Sequence, residues 1–262
     1  MKPLFLLSGV LVAGLFLAGC ADYEAGKAAF DKDDYPAAFR EFEPLANRGH
    51  REAQYYLGVM YIKGRADYTQ AAHWFRRAAE EGHPDAQYSL GALYDEGRGV
   101  PQDHAQAAHW FRKAADQGRA DAQYNLGIMY EQGNGLARND TEAASWYRKA
   151  AEQGQPLAQY NLGVMYGEGR GASQDYVLAA RWYRRAAEQG LAQAQHNLGA
   201  LYDAGRGVPQ DYVRAYAWLN LAAAQGYEPA RAAREICASS MTEEQIAEAQ
   251  ELTREWEVKD PQ

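Results

Sequence analysis

The 262-residue sequence predicts an all-α protein, an α/α superhelical solenoid of helix-turn-helix repeats. Three observations carry that expectation. The first is self-similarity: a 36-residue unit begins at Ala86, Ala122, Ala158 and Ala194, and a 33-residue copy begins at Ala53. The second is spacing: Ala158, Leu162 and Tyr166 recur every four residues with Met165 beside them, which marks one face of a helix. The third is punctuation. Asp175 stands at an N-cap place shared by Asp67, Asp103, Asn139 and Asp211, and Gly190 closes the second helix. A unit of this size buries its apolar face only against neighbouring units, so the copies predict one elongated domain.

Taken in order, residues 1–20 read MKPLFLLSGVLVAGLFLAGC. Lys2 precedes an uncharged apolar run from Pro3 to Gly19, the pattern of a secretory signal and short for a membrane span. The run ends in Leu17-Ala18-Gly19-Cys20, which resembles the lipobox of bacterial lipoproteins. That resemblance implies a signal peptide over 1–19, lipidation of Cys20, and attachment of the domain to a membrane by acyl chains. By the same family's sorting preference, Ala21 after the Cys implies the outer membrane, with the domain in the periplasm.

Residues 20–52 read as an anchor and a degenerate N-terminal capping repeat. Phe42, Ala46 and Gly49 align with Phe75, Ala79 and Gly82, but there is no Leu-Gly pair, and Pro44 is expected to bend or shorten the second helix. Five repeats follow, over 53–85, 86–121, 122–157, 158–193 and 194–229. Gly58, Gly91, Gly127, Gly163 and Gly199 hold one place in every copy despite a helix cost of about 1 kcal/mol, so close approach of the paired helix is expected there. Gly169 and Gly171 break the first helix and supply the turn. Trp74, Trp110, Trp146, Trp182 and Trp218 share a second-helix place that reads as core. The copy at Ala53 lacks three turn residues and should have a tighter loop, whereas Asn134-Gly135-Leu136 reads as loop drift. Residues 230–262 read as C-terminal capping helices and a tail. Thr242 and Gln245 match a capping box, which predicts a helix from Glu243 to about Trp256 that packs Ile246, Ala249, Leu252 and Trp256 over the last repeat.

The pattern Ala-x-x-x-Leu-Gly-x-x-Tyr, then Gly-x-Gly-Val-x-x-Asp, then Ala-x-x-Trp-(Phe/Tyr)-x-x-Ala-Ala-x-x-Gly resembles the Sel-like repeat (SLR) family, relatives of the tetratricopeptide repeats. The resemblance implies α/α units stacked into a right-handed superhelix whose concave groove is lined by repeat positions 3, 7 and 10. Position 3 holds Tyr55, Tyr88, Tyr124, Tyr160 and His196, and position 7 holds Val59, Ala92, Ile128, Val164 and Ala200. Position 10 holds Ile62, Asp95, Glu131, Gly167 and Asp203, with Glu96 and Glu168 next to it. An aromatic row beside an apolar row and an acidic fringe suits a peptide or protein partner. The candidate groove is therefore Tyr55, Tyr88, Asp95, Tyr124, Ile128, Glu131, Tyr160, Val164 and Asp203. Tyr at position 3 has a second reading, compatible with the first, as packing between adjacent first helices.

The net charge of −8 argues against a nucleic-acid surface and against a polybasic membrane patch. The six histidines form no metal-ligand spacing, and no phosphate loop or nucleophile elbow occurs, so neither enzyme, metal nor small-molecule cofactor is expected. Cys237 reads as a buried thiol. The sequence reading is thus a lipid-anchored scaffold of the bacterial envelope. Two alternatives stand beside it: a passive envelope spacer, and an enzyme acting on penicillin-like compounds. The second follows from secreted SLR relatives whose repeats carry paired cysteines, which the copies here do not.

Overall fold

A computed structural model describes residues 21–259, so Cys20 and the lipobox lie outside the described residues. Those residues form fourteen helices and no strand, in two compact units that divide between His83 and Pro84.

The first unit holds α1 (Tyr23–Phe30), α2 (Tyr35–Asn47), α3 (Arg51–Arg65) and α4 (Tyr68–Glu80). Its degenerate opening repeat keeps the geometry that its sequence hides. A Cβ placed on Gly26 would lie 2.8 Å from the Phe42 ring, the same encounter that Gly58 has with Phe75 at 2.5 Å. Gly26 therefore supplies the repeat glycine without the Leu before it. Pro44 does not shorten α2, which runs the same 13 residues as the other second helices. The proline falls in the last turn, where only the helix end remains to be disturbed. The tighter loop after α3 is present: the helix ends on Ala66 in the left-handed region at φ 50°, and Asp67 at once caps α4.

The second unit holds α5 (Pro84–Glu96), α6 (His104–Asp116), α7 (Ala120–Gln132), α8 (Asp140–Glu152), α9 (Pro156–Glu168), α10 (Tyr176–Glu188), α11 (Ala192–Ala204) and α12 (Tyr212–Ala224), closed by α13 (Glu228–Ala238) and α14 (Glu243–Lys259). Each helix packs on the next from α5 to α13, and α14 packs back on α12. The expected caps are made. Asp103, Asn139 and Asp175 each accept two amide protons of the first turn, and Asp211 accepts one, at about 1 kcal/mol per cap. Gly169 ends α9 at φ 72°. Gln102, Gln174 and Gln210 lock the turns by donating from Nε2 to the carbonyls of Asp95, Gly167 and Asp203 at 2.7–2.8 Å.

Within each pair the glycine row sets the helix spacing. A Cβ on Gly91, Gly127 or Gly163 would stand 2.6–2.8 Å from the ring of Phe111, Tyr147 or Tyr183. At Gly199 the obstacle is Leu219, which replaces the ring. The turn at Asn134-Gly135-Leu136 keeps the glycine that the other turns have, and its geometry with it. A Cβ on Gly135 would meet the His104 carbonyl at 2.2 Å, as one on Gly171 would meet that of Asp140 at 2.0 Å, so both turns press on the preceding second helix.

Around this frame Leu90, Leu126, Leu162 and Leu198 are fully buried, and Trp110, Trp146, Trp182 and Trp218 are at most 8% exposed. Lys113, Lys149 and Arg185 lay their cations over the tryptophan rings of their own helices. The capping box at Thr242 and Gln245 is formed in both directions, at 2.9 and 3.2 Å. Ala249 is buried and Trp256 packs at a tilt on Trp218, at 4.2 Å between ring centroids.

Candidate functional site

The sequence-derived candidates lie on the first helices. Packing commits more of them than the wheel foresaw. Tyr88, Tyr124 and Tyr160 are half-buried, and each ring tilts against the aromatic of its own second helix, Phe111, Tyr147 and Tyr183, at 5.6–5.9 Å. Their hydroxyls lie near the side chains of Asn125, Asn161 and Asn197 from the following repeat. Burial is the main cause that raises all three hydroxyl pKa values, so these groups stay protonated. Arg119 covers the Tyr88 ring at 4.4 Å and pairs with Asp85 and Asp121. In the first unit, Tyr55 lies between Phe75 at 5.8 Å and His83, which stacks on it at 4.6 Å. Ring packing and a hydroxyl edge thus coexist at position 3.

Ile128 and Val164 are half-buried beside this row, and Ala200 is exposed. The acidic fringe is tied into the stack. Glu131 accepts a 2.6 Å bond from the Tyr147 hydroxyl and a 2.8 Å bond from Nη1 of Arg170 in the next turn. Arg170 also donates to Glu168 at 2.6 Å, and hydrogen bonds to Glu168 and Glu131 push its pKa still higher. Burial and the bond to Glu131 raise the Tyr147 hydroxyl. Asp95 holds Nδ1 of His104 at 2.8 Å. Asp203 sits beside the buried Cys237 thiol, and burial with that carboxylate nearby pushes the thiol up to about 12. Glu131 and Asp203 therefore spend charge on the fold that the sequence reading assigned to the groove.

Sequence reasoning missed a second polar row. Gln87, Gln123, Gln159 and Gln195, at repeat position 2, are at most 4% exposed. From this position Gln123, Gln159 and Gln195 donate to the carbonyls of Ala115, Ala151 and Ala187 at 3.1–3.2 Å. Their own side-chain oxygens accept from Gln153, Gln189 and Gln225 thirty residues on, at 2.7–2.9 Å. The signal was available: an invariant Gln after the inward Ala in all five copies. A polar residue at a position next to the inward face reads as solvent-facing until a partner carbonyl is known. Among the described residues no group of three or more His, Cys, Asp or Glu side chains is placed to hold a metal ion, and no helix is long and apolar enough to cross a membrane.

No curated protein matches the sequence. Two solved structures share its geometry. A protective antigen of uropathogenic Escherichia coli that displays an SLR fold is 43% identical, with a TM-score of 0.71 over 73% of this chain. The match spans 42% of that antigen's length. A Sel1 repeat protein from Oxalobacter formigenes is 32% identical, with a TM-score of 0.74 over 77% of this chain and 84% of its own. The family model for the Sel1 repeat matches five times, at residues 51–83, 84–118, 120–155, 156–191 and 192–227, each match opening at or next to the start of a first helix. With two helices per match and one spacing glycine in each pair, the chain belongs to the Sel1 repeat family.

Proposed function

We propose that this Sel1 repeat solenoid is a lipid-anchored, non-enzymatic interaction scaffold of the bacterial envelope, tethered through Cys20 and holding a peptide or protein segment along its first-helix face. The observation that supports the reading is the row of half-buried tyrosines Tyr88, Tyr124 and Tyr160, each tilted against an aromatic ring of its own second helix. The stack leaves these rings only half-buried, with the half-buried Ile128 and Val164 one turn on from Tyr124 and Tyr160. Tyr contributes wide contact area at low entropic cost, and a row of such rings recognises an extended partner. Several acyl chains at about 0.8 kcal/mol per buried methylene hold a soluble domain stably to a bilayer.

The two halves of the proposal are tested separately. Radiolabelled palmitate should enter the wild-type protein and not a Cys20→Ala variant; equal labelling of both removes the anchor. Crosslinking and pull-down from envelope fractions should lose a reproducible partner in Tyr88→Ala, Tyr124→Ala and Asp95→Lys variants whose unfolding is still cooperative. Unchanged capture by all three removes the groove.

A further inference from the structure

The last repeat departs from the others on its outer surface. Where α10 carries Arg181, Arg185 and Glu188, α12 carries Ala217, Leu221 and Ala224. This loss of charge fits the docking of α14 on α12, where Ala217 is buried and Trp256 packs at a tilt on Trp218. The apolar surface nevertheless outruns its cover: Leu221 remains half-buried and Ala224 exposed. Beyond the edge of α14 lies an open cleft of about 1250 Å³, walled by α10 and α14 and floored by α12. That exceeds the roughly 300–1,000 Å³ of small-molecule pockets. Trp218, Leu221, Leu252 and Trp256 form its apolar lining. Its charge is lopsided, because Arg184 and Arg214 line it together with one carboxylate, Glu188. Both guanidinium groups are held over the Tyr202 ring, at 5.9 and 5.8 Å from its centroid; Arg184 also donates to the Tyr202 hydroxyl and Arg214 also pairs with Asp211 at 3.4 Å, which fixes them at the cleft.

We propose that this cleft seats an amphipathic helix of a partner protein, with its apolar stripe on Leu221, Leu252 and the two tryptophans and its acidic flank on Arg184 and Arg214. A groove between two helices with an apolar floor accepts side chains at i, i+3 or i+4, and i+7, and the paired guanidinium groups select acidic over basic flanks. The site is separate from the tyrosine row and stands or falls without it.

The test uses the full-length protein in detergent and two fluorescent 14-residue helical peptides. Both carry the same Leu stripe; the remaining positions are Glu in one and Lys in the other. The Glu peptide should bind roughly tenfold or more tighter than the Lys peptide, with a signal in Trp fluorescence. Rewriting α12 as Leu221→Arg with Ala224→Glu restores residues that α10 already accommodates at those places, so folding should survive. That variant should lose the Glu peptide, Arg214→Glu should weaken it about tenfold, and Tyr124→Ala should leave it unchanged. Equal affinity for both peptides, binding of neither, or full binding by both cleft variants overturns the proposal. So does a dimer by light scattering that Leu221→Arg dissolves, since the cleft would then belong to a second copy of the chain.

Discussion

Gly163 shows how much one residue decides here. A methyl group there would gain about 1 kcal/mol in helix propensity and would stand 2.7 Å from two atoms of the Tyr183 ring, which is itself nearly buried. Overpacking of this kind costs about 1–3 kcal/mol, so Gly163→Ala should lower the urea midpoint without changing the slope. Ala66 presents the opposite case, a side chain held at φ 50° in open loop geometry. Left-handed backbone costs an L-residue about 1–2 kcal/mol, and glycine repays part of that in the unfolded chain, so Ala66→Gly should raise stability by about 0.5–1 kcal/mol. Cys237 gives a pH signature. Its folded pKa of about 12 lies above the unfolded value of 9.0, so the fold holds the thiol neutral. That contribution to stability is complete below pH 9 and is lost as pH rises from 9 toward 12. At pH 8 iodoacetamide should label the Cys237 peptide slowly in native protein and rapidly in urea, as read by mass spectrometry. Equal rates would contradict the burial.

Individual helices owe their ends to side chains and their positions to the rows beside them. The caps at Asp103, Asn139, Asp175 and Asp211 were legible because N-cap chemistry is local: a short acceptor meets amides two or three residues on. The glutamine row was not legible, because its partners lie eight residues back and thirty residues ahead. Gln159→Leu should test its weight. The change strips the hydrogen bond to the Ala151 carbonyl and leaves Nε2 of Gln189 without its Gln159 acceptor. A loss of about 1–3 kcal/mol in unfolding free energy is expected, against about zero for an exposed Gln such as Gln132. The same contrast explains the acidic fringe. Glu131 looks like free surface charge on a helical wheel, and only the arrival of Tyr147 and Arg170 from other elements shows it engaged.

Across the second unit, each helix is stabilised mainly by its neighbours, and the terminal helices close the stack. Removal of residues 240–262 would uncover Trp218, which α14 now covers with Trp256. Hydrogen exchange should then accelerate first in α12 and α11 and leave α5 to α7 protected, the graded response of a one-dimensional array. A uniform loss of protection would indicate a single cooperative core instead. The same end of the molecule bears the α10–α12–α14 cleft, so the helix that closes the stack also forms one wall of that cleft.

The sequence by itself determined the repeat, its helix boundaries to within a few residues, the capping residues, the glycine row and the place of every tryptophan. All of these are written in local spacing or in recurrence, and a period repeated five times averages out the ambiguity of any one copy. Tertiary structure alone decided that Gly26 serves as a repeat glycine, that Gln at position 2 is buried, that Glu131 and Asp203 are occupied, and that the apolar face of α12 is covered only in part. Each of those depends on which side chain arrives from a distant element, and no wheel drawn on one helix contains the neighbour.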